Sequence, residues 1–207
     1  MIERLAAAGL VGFTRMLVGA RAHWRAPMPH GQCLYYANHS SHLDTLAIWS
    51  ALEPARRAAT RPVAARDYWD KPGLRRYFSG RVLRAILIER RRDARDGDPL
   101  APAIAALAAG DSLILFPEGT RTAQRLPQPF RGGLHRLAQQ FPQLHVVPVW
   151  LDTLHRSMPK GARIPLPLYC TAHFGAPLER LPDESRDAFL VRARDALVAL
   201  ADAGSPA

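Results

Sequence analysis

The chain has 207 residues, of which 48% are hydrophobic, so it is long enough for one well-packed domain with a substantial core. Its formal net charge of +10 favours anionic partners such as nucleic acid, phospholipid surfaces, phosphorylated substrates or acidic carrier proteins. No segment reaches the run of about 18 apolar residues that a transmembrane helix needs, which argues against a chain that spans a bilayer.

The first 24 residues are the most lopsided part of the chain. Scattered charges alone interrupt their apolar residues, which predicts an amphipathic helix over residues 2–24. A secretory signal is disfavoured because Arg15 interrupts its apolar core. Two placements stay open: a helix packed on its own domain, or one lying in a membrane interface with arginines toward the headgroups. Residues 25–31 are predicted to form a linker.

A short apolar strand over residues 33–37 is followed by a polar turn and then by apolar residues at helical spacing over 43–52. His39 and Asp44 cannot share a face if both are helical, because residues five apart point roughly 140° away from each other. His39 is therefore expected in the turn. With Ser41 as the N-cap, Asp44 becomes the third helical residue, and its carboxylate can fix one imidazole nitrogen while the other accepts a proton.

Two other interpretations of this turn stay open. The pattern of Ser41 and Asp44 is also that of a capping box, in which Asp44 only binds backbone donors and His39 is an ordinary turn residue. A metal site built from His39, His42 and Asp44 is disfavoured, because no further His/Cys cluster completes a ligand shell. Cys33 and Cys170 lie far apart in apolar runs, which indicates buried free thiols and a reducing, cytosolic-side environment.

The rest of the chain alternates between short apolar strands and helices. Further strands are predicted at residues 62–65, 85–88, 112–116, 146–151 and 166–174, with a long loop over 152–165. Further helices are predicted at residues 74–83, 98–110, 132–140 and 189–200. This order predicts an α/β fold with a mixed, mainly parallel β-sheet flanked by helices on both faces.

Polar clusters follow three of the predicted strands. Besides His39, Arg90 lies in an arginine run after the strand at 85–88, and Glu118 lies in a Gly- and hydroxyl-containing turn after the strand at 112–116. The arginine run is equally consistent with a solvated charged loop. Because ligands of such folds bind outside the carboxyl ends of the strands, the three clusters are expected to meet at one edge.

The motifs at 38–44 (NHSSHLD) and 116–121 (FPEGTR), taken together, resemble those of the glycerolipid acyltransferase family, which includes bacterial 1-acylglycerol-3-phosphate acyltransferases. The segment 86–90 (ILIER) is similar to the second motif of that family, and 146–149 (VVPV) to its fourth. The segment 130–133 (FRGG) is similar to the basic-glycine turn that follows the third motif. The resemblance covers roughly residues 30–180.

The resemblance implies transfer of a fatty acyl group from acyl-CoA or acyl-carrier protein to the hydroxyl of a lysophospholipid, with phosphatidic acid as the expected product. It makes His39 the general base and Asp44 the residue that orients it. The substrate-binding residues that it implies are Arg90, Glu118, Gly119, Thr120 and Arg121. Backbone N–H groups of the Glu118-Gly119 turn are candidates for stabilising the thioester oxyanion.

The same resemblance sets the expected partners and organisation. No metal or cofactor is expected beyond the acyl donor, nor any nucleic acid, and the anionic surface of the cytoplasmic side of the inner or plasma membrane is the expected site of peripheral attachment. Residues 1–28 are expected to be a membrane-associating helix and linker, and residues 29–207 the catalytic domain. Three departures concern the acceptor and the docking. Arg84 stands where the family usually has Gly, and Thr122 where Ser is common. The segment before the first motif has room for one long helix, whereas some bacterial members use a two-helix membrane-binding unit.

Overall fold

The computed structural model describes residues 2–69, 73–89, 97–122, 124, 126–152 and 170–202. Its strands are β1 (Arg21–Trp24), β2 (Cys33–Ala37), β3 (Thr60–Ala65), β4 (Ile86–Ile88), β5 (Ser112–Leu115), β6 (His145–Leu151) and β7 (Thr171–Phe174). Its helices are α1 (Ile2–Val18), α2 (Asp44–Ala51), α3 (Pro54–Ala58), α4 (Arg66–Trp69), α5 (Leu74–Tyr77), which continues as a π-helix (Phe78–Val82), α6 (Ala101–Ala108), α7 (Gly133–Gln140) and α8 (Arg186–Asp202).

The seven strands form one sheet in the order β1-β7-β6-β2-β5-β3-β4. All neighbouring strands are parallel except β6 and β7, so β2 to β6 run in one direction and β1 and β7 in the other. The carboxyl ends of β2 to β6 therefore lie together, and we call this side of the sheet the carboxyl edge. The predicted mixed, mainly parallel sheet is confirmed.

The side chains of β2 alternate between two hydrophobic cores, one on each face of the sheet. Cys33, Tyr35 and Ala37 belong to the core that includes buried residues of α1 and α2. Leu34 and Tyr36 belong to the core formed with α6, α7 and α8. All five residues are buried, as expected for a central strand covered by helices on both faces.

The N-terminal helix is shorter than predicted. It ends at Val18, because Gly19 adopts a positive φ of 57° and donates its N–H to Arg15 O at 2.8 Å, a typical C-terminal stop. Residues 21–24 then form β1, which pairs in parallel with β7. The sheet thus begins before residue 29, where the sequence placed the start of the catalytic domain.

Other boundaries agree with the predictions to within a few residues. The predicted strand over 166–174 is described from residue 170 onward, and the predicted loop over 153–165 lies outside the described residues. Cys33 and Cys170 are buried and free, as predicted. Among the described residues, no helix is long and apolar enough to cross a bilayer.

Candidate active site

An imidazole and a carboxylate meet in the turn between β2 and α2. His39 Nδ1 lies 2.8 Å from Asp44 Oδ2. Because an ionised carboxylate only accepts hydrogen bonds, this contact places a proton on Nδ1 and leaves Nε2 as the basic nitrogen. The side chain of His39 is 18% exposed, whereas that of Asp44 is fully buried. This is the contact that the five-residue spacing predicted.

Asp44 also organises the turn itself. Its Oδ2 accepts the backbone N–H groups of Ser40 at 2.7 Å and Ser41 at 2.8 Å, in addition to the imidazole. Asp44 therefore binds backbone donors, as the capping interpretation predicted, and also contacts the imidazole of His39, as the catalytic interpretation predicted. The capping position is different from the prediction, however. Leu43 occupies the N-cap, and Asp44 is the first helical residue rather than the third.

Three further contacts hold His39 in place. Its backbone N–H donates to Glu118 Oε1 at 2.8 Å, and its carbonyl accepts the N–H of Thr122 at 2.9 Å. Its ring stacks on Phe116, with 4.1 Å between the ring centroids. The turn after β5 thus fixes the backbone and the ring of the residue that follows β2, which the sequence could not show.

Glu118 is predicted to bind substrate, and its two carboxylate oxygens already accept backbone groups. Oε1 accepts from His39, and Oε2 accepts the N–H of Gln128 at 2.8 Å. Burial raises the pKa of this carboxyl, an effect that the N–H groups of Gln128 and His39 oppose. In this geometry Glu118 ties the turns after β2 and β5 to the loop before α7.

Asn38 is a site residue for which the sequence analysis proposed no role. Its Nδ2 donates to Leu151 O at 3.1 Å and its Oδ1 accepts the N–H of the same residue at 2.8 Å. An amide side chain carries one donor group and one acceptor, so it extends the pairing of β2 and β6 beyond the last strand residue. Its position directly after a buried strand was the available signal.

A cavity of about 470 Å³ opens beside His39 at the carboxyl edge. Part of its wall is apolar and comes from Val63, Ala65, Trp69, Ile88, Leu115 and Leu134. Another part is cationic and comes from Arg121, Arg131 and Arg136. A cavity with these two kinds of wall suits an amphipathic molecule that carries an anionic group.

The remaining predicted site residues are brought together to different degrees. Gly119 and Arg121 line the cavity, and Nη1 of Arg121 is buried. Thr120 is exposed and is not among the lining residues. Arg90 lies outside the described residues. The N–H of Gly119 donates to Phe116 O at 3.0 Å and is thus paired within the turn, while stabilisation of an oxyanion by this turn stays a prediction.

An oriented imidazole base beside such a cavity is the arrangement of an enzyme that activates a hydroxyl or water. No group of three potential metal ligands occurs among the described His, Cys, Asp and Glu residues. Residues 20–152 match the family model described as Acyltransferase. Because this match covers more than half of the chain, the protein belongs to the acyltransferase family, which confirms the resemblance seen in the motifs.

The solved structures agree with this assignment at the level of the fold. The chain is similar to the crystal structure of the 1-acyl-sn-glycerophosphate (LPA) acyltransferase PlsC from Thermotoga maritima, with a TM-score of 0.75 and 17% sequence identity. The match covers 99% of this chain and 82% of that one. At this identity the likeness shows a shared fold alone. No curated protein matches the sequence.

Proposed function

We propose that this acyltransferase moves a fatty acyl group from acyl-CoA or acyl-carrier protein to the free hydroxyl of a lysophospholipid. The proposed acceptor is 1-acylglycerol-3-phosphate, and the product is then phosphatidic acid for phospholipid synthesis. The observation that carries the proposal is the His39–Asp44 pair on the wall of a cavity that is partly apolar and partly lined by arginines.

The proposed reaction needs a base but no covalent enzyme intermediate. Nε2 of His39 takes the proton of the acceptor hydroxyl while its oxygen attacks the thioester carbonyl carbon. Collapse of the tetrahedral intermediate breaks the carbon–sulfur bond, and the proton passes to the departing sulfur. The products are an ester and a free thiol. A thioester is already activated, so the proposal includes no metal or cofactor.

The cavity walls suggest how the two substrates lie. Guanidinium groups bind phosphate through paired hydrogen bonds, so the side near Arg121 suits the acceptor phosphate. The apolar part of the wall, which includes Val63 and Ile88, suits hydrocarbon. His39 lines the same cavity and therefore lies within reach of a molecule that occupies both walls.

We further propose that α1 attaches the protein peripherally to the cytoplasmic side of the membrane. Ile2, Leu5, Phe13 and Met16 are exposed on this helix, and such side chains suit the boundary between headgroups and acyl chains. One arginine of the helix is directed inward rather than toward headgroups. Arg15 donates to Ser50 O through Nε and Nη2 at 3.2 and 2.9 Å. The apolar face is thus the main support for attachment.

A thiol-release assay tests the enzymatic proposal. Oleoyl-CoA should release free thiol only when lysophosphatidic acid is present, and a panel of other lysolipids identifies the acceptor. His39→Ala should lower kcat by about 10²- to 10⁴-fold, as expected for loss of a general base. His30→Ala is the matched control, because His30 is an exposed histidine outside the cavity.

Two results would contradict the proposal. Thiol release that is equally fast with and without every lysolipid would indicate a thioesterase rather than an acyltransferase. Binding to anionic vesicles with no thiol release from oleoyl-CoA or oleoyl-carrier protein would indicate a non-catalytic membrane-binding protein.

A further inference from the structure

Three arginines line the cavity, and they differ in the partners that their side chains have. Arg136 forms a bidentate ion pair with Asp98, with Nη1–Oδ1 at 2.7 Å and Nη2–Oδ2 at 2.5 Å. A carboxylate therefore already satisfies both terminal nitrogens of this guanidinium. Asp98 thus supplies the counter-charge of Arg136, and Arg136 needs no anionic ligand for this purpose.

Arg131 has no such partner in the part of the chain that the structure describes. Its Nε donates to Glu118 O at 3.2 Å, and its backbone N–H donates to Pro117 O at 2.9 Å. Neither contact uses the two terminal nitrogens, and no described carboxylate forms an ion pair with this residue. The Nε contact fixes the guanidinium against the turn after β5, so an anchored cation lines the cavity without a counter-charge.

Gly119 is the residue that makes this position of Arg131 sterically accessible. A Cβ built on Gly119 would lie 2.6 Å from Arg131 Nε and 2.9 Å from Cζ, closer than any tolerated contact. The φ of Gly119 is +72°, which also favours glycine. Gly119 therefore has two effects. It permits the backbone conformation of the turn, and the absence of a Cβ leaves space for the side chain of Arg131 to cross the turn.

We propose that Arg131 binds the phosphate monoester of the acceptor, and that Gly119 is required chiefly because it leaves space for this arginine. The inference rests on the proposed function, and it adds Arg131 to the substrate-binding residues that the family resemblance implies, which include Arg90 and Arg121. The same turn carries Glu118, whose carboxylate holds the backbone of His39. One short turn thus sets the distance between the phosphate and the base.

A double-mutant cycle tests this role. Arg131→Ala should raise KM for 1-hexanoylglycerol 3-phosphate by about 10- to 100-fold, the usual effect of losing charge-assisted hydrogen bonds. The KM for acyl-CoA should stay within about threefold. Gly119→Ala should raise the acceptor KM similarly, because a Cβ displaces the guanidinium. The double variant should then be no worse than about twofold beyond either single variant, since both remove the same interaction.

Matched variants separate a binding role from a structural one. Arg136→Ala removes an arginine from the same cavity wall, but its effect on the acceptor KM should stay below about threefold because Asp98 already neutralises it. The loss of activity in Arg131→Ala should be at least about tenfold larger on 1-hexanoylglycerol 3-phosphate than on neutral 1-hexanoylglycerol. Equal losses on neutral and phosphorylated acceptors would show that Arg131 only supports the turn, and would overturn the proposal.

Further outcomes show whether Arg131 binds the phosphate of the acceptor or of the donor, and they separate a failure of the proposed reaction from a failure of the role of Arg131. A rise in KM for acyl-CoA with an unchanged acceptor KM would overturn the proposal in favour of the phosphates of the donor. Titration calorimetry with 1-hexanoylglycerol 3-phosphate measures binding without turnover. Binding that needs Arg131 in a protein that transfers no acyl group would refute the proposed reaction alone. Transfer with wild-type acceptor affinity in Arg131→Ala would refute the role of Arg131 alone.

Discussion

The turn over residues 38–44 and the outer face of α1 show two opposite ways of placing side chains. In the turn, one carboxylate oxygen of Asp44 accepts three donors, Leu151 of β6 pairs with Asn38, and Glu118 from the turn after β5 accepts the N–H of His39. Among the described residues, only Oδ1 of Asp44 and Oγ of Ser40 are buried in this turn without a hydrogen-bond partner. On α1, Ile2 is 73% exposed and Met16 is 77% exposed. The turn is thus held mainly by contacts within the chain, whereas the outer face of α1 leaves apolar surface exposed, and this is the surface proposed to meet the membrane.

The largest expected effect comes from weakening the turn. Asp44→Asn replaces the charged acceptor of three hydrogen bonds by a neutral amide, whose oxygen accepts more weakly and whose nitrogen, at the position of Oδ1, becomes a buried donor without a partner. We expect kcat to fall by about 10²- to 10⁴-fold, because a neutral amide no longer stabilises the imidazolium that forms when His39 takes a proton. The free energy of unfolding should fall by about 1–3 kcal/mol, the cost of unsatisfied buried donors.

Steady-state kinetics and urea unfolding check this prediction. The control is Asp187→Asn, since this aspartate is exposed at the start of α8 and, among the described residues, forms an ion pair with its neighbour Arg186 alone. A kcat within tenfold of the wild type for Asp44→Asn would mean that the buried carboxylate does not act through His39.

The second prediction concerns the outer face of α1. Deleting the helix is a poor test, because Val11, Thr14 and Val18 are buried in the core. Replacing Phe13 and Met16 together by Ser removes exposed apolar surface only. Binding to vesicles of phosphatidylglycerol should weaken on the order of 10- to 100-fold, from lost burial of two large side chains. The free energy of unfolding should change by less than about 0.5 kcal/mol.

Cosedimentation measures the binding, and Val191→Ser is the matched control because it removes an exposed apolar side chain from α8. Activity of the double variant should fall more on a bilayer-borne acceptor than on a monomeric short-chain one. Unchanged vesicle binding would mean that the face of α1 meets something other than a membrane.

The two regions also differ in how far the sequence predicts them. The contact of His39 with Asp44 spans five residues, so the geometry of one turn was enough to make it one of the interpretations open from the sequence. The contact of His39 with Glu118 spans 79 residues, and that of Asn38 with Leu151 spans 113. Those contacts exist because β2 lies between β5 and β6, and strand order is not encoded in local spacing.

The end of α1 was predicted wrongly, for a different reason. Beyond Gly19, the apolar residues Ala20, Ala22 and Trp24 alternate with Arg21 and His23, and five residues are too few to distinguish a half-buried strand from the end of a helix. Only pairing with β7 decides in favour of β1. The partners of the arginines were equally hidden. Sequence alone could not tell that Arg136 is neutralised by Asp98 while Arg131 is anchored by a carbonyl.

The third prediction tests whether contacts within the chain hold β1 in place, as they hold the turn over 38–44. Nη2 of Arg25 contacts Nδ1 of His173 at 3.2 Å, and since Arg can only donate, this contact requires neutral His173. Burial lowers the pKa of His173 below its ordinary value of 6.5, and the charges of Arg25 and His23 lower it further, while Asp152 opposes them.

A lowered pKa gives stability that is present above pH 6.5 and lost as the pH falls toward the folded-state pKa, because the unfolded chain takes up the proton first. We expect this residue to contribute a slope of at most about 1.4 kcal/mol per pH unit in that window. Urea unfolding between pH 7.5 and 5.5 measures it. His173→Gln should lose this part of the slope, whereas exposed His30→Gln should keep it. Identical slopes in all three proteins would show that β1 is not held through His173.

The fourth prediction has the smallest expected effect and concerns backbone strain. Among the described non-glycine residues, only Arg84 and Asp183 have a positive φ, so the turn over 38–44 is held without this kind of strain. Arg84 has a φ of 51° at the position where glycine was expected from the family resemblance. Its Nη2 donates to Asp111 Oδ1 at 2.9 Å, and its Nη1 to Ala58 O at 3.1 Å.

These contacts offset a conformation that costs roughly 1–2 kcal/mol for a residue with a Cβ. The pair with Asp111 is half-exposed on the Arg84 side, so its contribution is about 0–1 kcal/mol. Arg84→Gly loses the contacts and the strain together, and its unfolding free energy should stay within about 1 kcal/mol of the wild type. Arg84→Ala loses the contacts but keeps the strain, so it should be less stable than Arg84→Gly by about 1 kcal/mol. Urea unfolding of the two variants side by side measures the difference. If Arg84→Ala is instead more stable than Arg84→Gly, the backbone at this position relaxes out of the left-handed region.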